Sequence, residues 1–168
     1  MIAVDTNILL YSHRSDSPFH KAADKALTDL AESGELWAIP WPCIHEFLAI
    51  VTHPGIYDPP TPLTDAIEQV ECWLEVPTLM LLGEDKNHWS HLRSIVEEAQ
   101  IVGPMIHDAR VAALCQAQGV REIWTADRDF SRFTGLRLRN PLQSRSILSL
   151  GLLVLKYRER LTIRQAVT

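Results

Sequence analysis

The sequence predicts an α/β fold, a three-layer α/β/α sandwich built around a central parallel sheet. Short apolar runs typical of buried strands alternate with segments of helical periodicity, and the sequence shows no hairpin signal between them. Such alternation favours parallel strands joined by helical crossovers. The chain has 168 residues, of which 46% are hydrophobic and 22% are charged, so it is long and apolar enough to form one domain with its own core.

Five segments have the character of strands. The first is Ile2-Ala3-Val4, and the others cover residues 36–40, 78–82, 122–126 and 136–138. They are short and rich in apolar residues, as expected for strands that are covered by helices on both faces. The five segments are therefore predicted to form the sheet.

Helices are predicted between these strands. Helical periodicity covers residues 19–30, the residues after Pro42, the residues after Thr61-Pro62, residues 86–100, and the residues after Gly103-Pro104 up to about 118. Pro42 suits a first helical position, Thr61 suits a cap, and Gly119 suits a stop. Ile67, Leu74 and Trp89 lie on helix faces that are predicted to be buried.

Composition and cysteine spacing indicate a cytoplasmic protein. Cys43, Cys72 and Cys115 are far apart, which favours free thiols in a reducing compartment over a disulfide framework. We expect no signal peptide, because the N-terminus lacks a basic region followed by a long apolar stretch. The longest apolar run, residues 147–155, is too short to span a bilayer, so no membrane association is expected.

Charge is distributed unevenly along the chain. The net charge is −5, but residues 143–168 carry five Lys or Arg and one Glu and sum to +4. An acidic body argues against a nucleic-acid partner unless bound cations neutralise part of its charge. The basic C-terminal segment is interpreted as a terminal helix or appended extension, or alternatively as a docking element for a partner or RNA.

Carboxylates follow two of the predicted strands. Asp5 comes directly after the first strand, and Asp127 comes just past the fourth, with Asp129 two residues later. In open α/β sheets, ligands bind beyond the carboxyl ends of the strands, so Asp5 and Asp127 are expected to lie close together. Taken singly, Asp5 also fits a helix cap and Asp127 also fits a turn.

Two further acids lie on predicted helices. Glu46 is in the helix after the second strand, and Asp108 is near the start of the helix before the fourth. A solvated helical Glu and an Asp favoured by the helix dipole are the simpler interpretations of each alone. Four carboxylates at one edge of a sheet, however, are hard oxygen ligands suited to Mg²⁺ or Mn²⁺ and to metal-assisted hydrolysis of a phosphodiester.

The ordered motifs resemble those of PIN-domain proteins, and most closely VapC-like toxins of type II toxin–antitoxin pairs. The resemblance rests on Val4-Asp5-Thr6-Asn7, on Glu46, on Asp108 and on the stretch Thr125-Ala126-Asp127-Arg128-Asp129-Phe130. It covers residues 1 to about 142, so it implies a PIN-like nuclease domain over 1–142 and an extension over 143–168 that departs from the family pattern.

The resemblance implies an endoribonuclease that depends on Mg²⁺ or Mn²⁺, acts on RNA, pairs with a cognate antitoxin and forms a homodimer. It makes Asp5, Glu46, Asp108 and Asp127 the catalytic, metal-binding tetrad and Asp129 an auxiliary acid. Groups that orient these carboxylates would be Thr6, Asn7 and Thr125. From their positions in the sequence, four arginines are candidates for contact with RNA phosphates, with plain surface solvation as the alternative: Arg14, Arg110, Arg128 and Arg132.

Other functions fit the sequence less well. His88 and His91 are spaced for one helix face, but no third metal ligand is placed near them. A haloacid-dehalogenase-type phosphatase would need an acid where this chain has Asn7. A catalytically silent PIN scaffold that binds RNA or protein is the remaining alternative to an enzyme.

Overall fold

The computed structural model describes residues 1–143, so the extension predicted over 143–168 lies, apart from Gln143, outside the described residues. Five strands form one sheet in which every pairing is parallel, in the order β3-β2-β1-β4-β5. The strands are β1 (Ile2–Val4), β2 (Trp37–Pro40), β3 (Leu79–Leu82), β4 (Glu122–Trp124) and β5 (Arg137–Arg139). All five predicted strands are thereby confirmed.

The register brings the site-bearing strand ends side by side. Strand β1 lies at the centre of the sheet, with Ile2 opposite Trp37 of β2 and Val4 opposite Trp124 of β4. Because β1 and β4 are in register and parallel, the residues that follow Val4 and Trp124 leave the sheet at the same edge. We call this edge the carboxyl edge.

Helices cover both faces of the sheet. They are α1 (Thr6–His13), α2 (His20–Glu32), α3 (Trp41–Val51), α4 (Leu63–Leu74), α5 (His88–Glu98) and α6 (Ile106–Ala117). Crossovers between parallel strands are right-handed. Helices α1 to α4 connect β1 to β2 and β2 to β3, so they lie on one face of the sheet. Helices α5 and α6 return the chain in the opposite direction, from β3 to β4, so they lie on the other face. The predicted three-layer α/β/α sandwich is confirmed.

Helix α1 begins immediately after β1 and is buried along most of its first two turns. Ile8, Leu9 and Leu10 are fully buried, and Asp5 caps the helix by accepting a hydrogen bond from the Thr6 amide at 2.8 Å. A helix that is apolar on several sides shows no amphipathic period, so the sequence pattern does not distinguish it from a continued apolar run.

Three apolar side chains predicted to be buried are exposed. Trp89 is 69% exposed on α5, and Ile67 and Leu74 of α4 are 42% and 43% exposed. On α4 the buried face consists of Ala66, Val70 and Trp73, so the apolar stripe is wider than the contact it makes. No helix within residues 1–143 is long and apolar enough to cross a membrane.

Candidate active site at the carboxyl edge

Asp5 is the buried acid at the centre of the carboxyl edge. Its side chain is 2% exposed, and donors face both of its oxygens. Oδ1 accepts from the Thr6 amide, while Oδ2 accepts from Asn7 Nδ2 at 2.5 Å and from Thr125 Oγ1 at 2.7 Å. A buried carboxylate requires such partners. Asp5 therefore combines the two roles that its position suggests, a helix cap and an acid at a strand end.

Asn7 and Thr125 join the ends of β1 and β4. The Thr125 hydroxyl accepts from Asn7 Nδ2 at 3.0 Å and from the Asp127 amide at 2.9 Å, and it donates to Asp5. Asn7 Oδ1 in turn accepts from the Ala126 amide at 2.9 Å. Thr125 thus uses its single donor and both acceptor positions, which fixes the segment that carries Asp127 against Asp5.

Asp127 lies just beyond β4 and is half-buried. Its Oδ1 accepts from the Asp129 amide at 2.8 Å, so it caps the 3-10 turn Arg128–Arg132. Asp129 is also half-buried and follows on this turn. The turn interpretation of Asp127 is correct, and the turn is what holds its carboxylate at the edge.

Glu46 reaches the same edge from α3. Its Oε2 accepts from Thr6 Oγ1 at 2.6 Å, and the backbone of Thr6 donates to Asp5. One residue of α1 therefore links the carboxylates of Asp5 and Glu46. The half-buried position of Glu46 differs from that of a fully solvated helical Glu.

Asp108 is 3% exposed in the first turn of α6. Because α6 leads into β4, which runs toward the carboxyl edge, α6 must begin at that edge. Cys115 lies two turns further along the same face of α6, and the charge of Asp5 contributes to raising the pKa of its thiol after the larger effect of burial. The structure thus places Asp108 in the buried first turn of α6, at the carboxyl edge.

Two further side chains, Tyr11 and Cys43, lie beside the carboxylates. Burial raises the pKa of Tyr11 most, and electrostatic interactions with Tyr57 and with the carboxylates of Asp5 and Asp127 raise it further. Burial, Asp5 and Glu46 raise the pKa of the Cys43 thiol well above its usual value. Tyr11 is four residues after Asn7 and so shares its face of α1, a signal that could have been found only if α1 had been predicted.

Arg14 and Arg110, two of the four arginine candidates, are paired with acids. Arg14 holds Asp16 through two hydrogen bonds of 2.6 and 2.8 Å and lies 4.1 Å from the Tyr57 ring centroid. Its side chain is only 12% exposed. Arg110 pairs with Glu84. Both guanidinium groups would have to leave these partners to contact a phosphate.

Thr61, predicted to cap α4, makes no cap hydrogen bond to that helix. Its hydroxyl instead lies 3.2 Å from Nε2 of His13 and 3.3 Å from a guanidinium nitrogen of Arg14. The end of α1 is thereby attached to the loop before α4, because the Thr61 side chain has a tertiary partner that competes with local capping.

Arg128 and Arg132 have a different environment. Both lie on the 3-10 turn that Asp127 caps, and both are exposed. Phe130 and Phe133 anchor this turn in the core, where they are 0% and 2% exposed. The turn therefore presents two arginines to solvent next to Asp127.

The donor chemistry of the edge fits a hard divalent cation. The acids offer only oxygen, and Asp5 is buried with its oxygens oriented by three strong donors. Within residues 1–143, no three or more His, Cys, Asp or Glu side chains are already spaced to ligate one ion. Mg²⁺ is commonly bound through one or two carboxylates while it retains several waters, so the edge does not need a closed protein cage.

Comparison with known proteins identifies the family. The PIN domain model matches residues 2–136. Ribonuclease VapC48 of Mycobacterium tuberculosis is 32% identical over 139 residues, which are 82% of this chain and 94% of that relative. The motifs that resemble the PIN pattern, from Val4 to Phe130, lie within the region covered by the family model.

Solved structures show the same fold. VapBC2 of Rickettsia felis, bound to a DNA fragment from its promoter, aligns with a TM-score of 0.59 at 20% identity and covers 83% of this chain and 98% of that chain. The sarcin-ricin loop cleaving toxin VapC20 of Mycobacterium tuberculosis aligns with a TM-score of 0.57 at 16% identity, covering 82% and 99%. The chain belongs to the PIN-domain family and, within it, to the VapC ribonucleases.

Proposed function

We propose that this chain is the toxin of a type II toxin–antitoxin pair and acts as a metal-dependent endoribonuclease. Residues 1–142 form the nuclease domain in this proposal, and Asp5, Glu46, Asp108 and Asp127 are its catalytic, metal-binding acids. Asp129 is an auxiliary acid. A cytoplasmic location follows from an RNA substrate, and a cognate antitoxin and a second copy of the chain are the expected protein partners.

The observation that carries this proposal is the hydrogen-bonded frame that joins three acids across the sheet edge. Thr6 links Asp5 to Glu46, and Thr125 links Asp5 to the Asp127 segment. Frames of this kind fix ligand orientation before a cation or substrate arrives. Acids that were simply solvated on the surface would hydrogen-bond to water and would not be linked through common threonine residues.

Mg²⁺ or Mn²⁺ bound by these acids would activate water and neutralise charge on the leaving oxygen of a phosphodiester. The residues of the chain supply the positioning. Thr6, Asn7 and Thr125 hold Asp5 rigidly, and the cap to the Asp129 amide holds Asp127. Burial of Asp5 and Asp108 keeps bulk water from competing for their oxygens.

The RNA substrate and the partners follow from the relatives. The similar proteins include chains named ribonucleases, a toxin named for cleavage of the sarcin-ricin loop, and VapBC complexes bound to DNA. This chain is expected to cut RNA in the same manner and to be inhibited by an antitoxin encoded beside it.

Cleavage of an RNA pool tests the enzyme directly. The purified chain is incubated with Mg²⁺ or Mn²⁺, with and without EDTA, alongside Asp127→Asn. Asparagine caps a helical turn as well as aspartate does, so this variant keeps the fold of the Arg128–Arg132 turn while losing one charge. We expect cleavage by the wild type, none in EDTA, and a large loss for Asp127→Asn.

Asp29→Asn is the matched control, because Asp29 is exposed on α2 and pairs only with Lys25 in the described structure. Cleavage by this control should equal that of the wild type. Equal activity of Asp127→Asn and the wild type would refute the role of the acids. Absence of any RNA cleavage would favour a silent PIN scaffold.

A further inference from the structure

Positive charge is concentrated in the segment that carries Asp127. Residues 121–139 hold five arginines and three acids, a net charge of +2, whereas the rest of residues 1–143 holds six Lys or Arg and 17 acids, a net charge of −11. A polyanion would be repelled by most of this surface. The net positive charge of the segment 121–139 makes it the part of the described domain that favours binding of a polyanion.

Arg139 lies at the carboxyl edge on β5. It is opposite Trp124 in the register, and its carbonyl accepts from the Thr125 amide at 3.0 Å. Its guanidinium carbon is 5.0 Å from the Trp124 ring centroid, and the side chain is 55% exposed. Arg139 is thus one backbone hydrogen bond from the residue that holds Asp5.

The charge of these arginines is poorly compensated. Arg137 and Arg139 share one carboxylate, that of Glu122, at 3.2 and 3.7 Å. For Arg128 and Arg132, no acid lies within ion-pair distance anywhere in residues 1–143. Elsewhere, Arg14, Lys25, Arg93 and Arg110 each have an acid as a close partner.

We propose that Arg128, Arg132 and Arg139, here called the arginine track, bind successive phosphates of the RNA strand on the β4–β5 side of the carboxylates. Guanidinium groups bind phosphate oxygens in a planar, bidentate manner. The 3-10 turn fixes the backbone positions of two of them, because Phe130 and Phe133 are buried beneath it. The inference rests on the proposed ribonuclease function. Arg14 and Arg110 are excluded from the track because each makes a direct hydrogen bond to its own acid. Arg139 only shares Glu122 with Arg137, at 3.7 Å, and its guanidinium can turn from it to a phosphate.

The salt dependence of the RNA-binding constant reports how many phosphates the protein contacts. Binding of a fluorescent single-stranded RNA is measured by anisotropy in EDTA, where no cleavage occurs, over a range of salt concentrations. Each phosphate contact contributes about −0.7 to the slope of log K against log[salt] for a single strand. Arg128→Gln, Arg132→Gln and Arg139→Gln should each reduce the steepness of that slope by about 0.7, and the triple variant by about 2.

Two controls separate a directed track from diffuse attraction. Arg121 is exposed in the same segment but precedes β4, at the opposite edge of the sheet, and Arg93 is exposed on α5. Arg121→Gln and Arg93→Gln should keep the wild-type slope. Arg139→Lys loses the guanidinium contact with Trp124 but keeps the positive charge, so it should keep the wild-type slope. A reduced slope in Arg139→Gln alone would then come from the lost charge and not from a folding defect.

In Mg²⁺, the track variants should raise KM for RNA cleavage several-fold with little change in kcat. Wild-type slopes and KM values for all three would overturn the track while leaving the nuclease intact. An equal effect of Arg121→Gln would overturn it in favour of diffuse charge. Track variants that bind RNA normally but lose an acidic protein partner would overturn it in favour of a protein interface. A wild type that neither binds nor cleaves RNA would overturn both proposals.

Discussion

Replacing Thr125 with valine tests the frame that holds Asp5. Valine has the shape of threonine but lacks the hydroxyl, which is buried and makes three hydrogen bonds. The change removes a hydrogen bond to a charged group, typically worth about 1.5–3 kcal/mol, and leaves the Asp127 amide and one Asn7 proton without a partner at about 1–3 kcal/mol each. Because these costs overlap, we expect a loss of about 3 kcal/mol in the free energy of unfolding.

Thermal and urea unfolding in EDTA measure this loss without any contribution from bound metal. For a domain of this size, 1 kcal/mol corresponds to roughly 2–4 °C in Tm, so Thr125→Val should melt about 6–12 °C below the wild type. Thr125→Ser keeps the hydroxyl and loses one methyl group, so it should lose only about 1 kcal/mol. Equal unfolding free energies for the valine and serine variants would refute the hydrogen-bonded frame.

Three other predictions address the metal, the thiols and the biological role. Mg²⁺ should raise the Tm of the wild type more than that of Asp127→Asn, because clustered acids repel one another until a cation binds; a Tm unchanged by millimolar Mg²⁺ would argue against the metal site. At mildly alkaline pH, an alkylating reagent should label exposed Cys72 in the folded protein. Cys43 and Cys115 should be labelled only after unfolding, because burial and neighbouring Asp5 raise the pKa of both thiols. Equal labelling of all three cysteines in the folded protein, measured by mass spectrometry, would contradict this prediction. Expression of the wild type without its antitoxin should stop growth while Glu46→Gln does not, and harmless expression of the wild type would count against a toxin.

The inner strands of the sheet could be predicted because β1, β2 and β4 are almost wholly buried and so appear as apolar runs. Helix α1 could not, because Ile8, Leu9 and Leu10 are buried on several sides and leave no polar face to reveal the period. The exposure of Trp89 has a different cause. Helical spacing identifies the apolar side chains of a helix, but the neighbouring elements decide how many of them are covered.

The candidate site could be anticipated in part from the topology of the predicted sheet. Asp5 and Asp127 follow apolar strands, and parallel strands end at one edge, so their proximity follows from topology. Tyr11 and Cys43 gave no comparable signal, since they approach the carboxylates only through the packing of α1 and α3. The pairing of Arg14 with Asp16 and Tyr57 likewise depends on a loop whose path the sequence does not reveal.

The proposed mechanism requires the acids at the carboxyl edge to hold a divalent cation. Titration of the purified protein with Mn²⁺, followed by electron paramagnetic resonance of the free ion, measures this binding without any RNA. The wild type and Asp29→Asn should bind Mn²⁺. Asp127→Asn and Glu46→Gln should bind it at least about tenfold more weakly, the lower end of the loss seen on removing groups that only support a metal ligand. Affinities of these two variants equal to that of the wild type would show that the acids do not hold the cation.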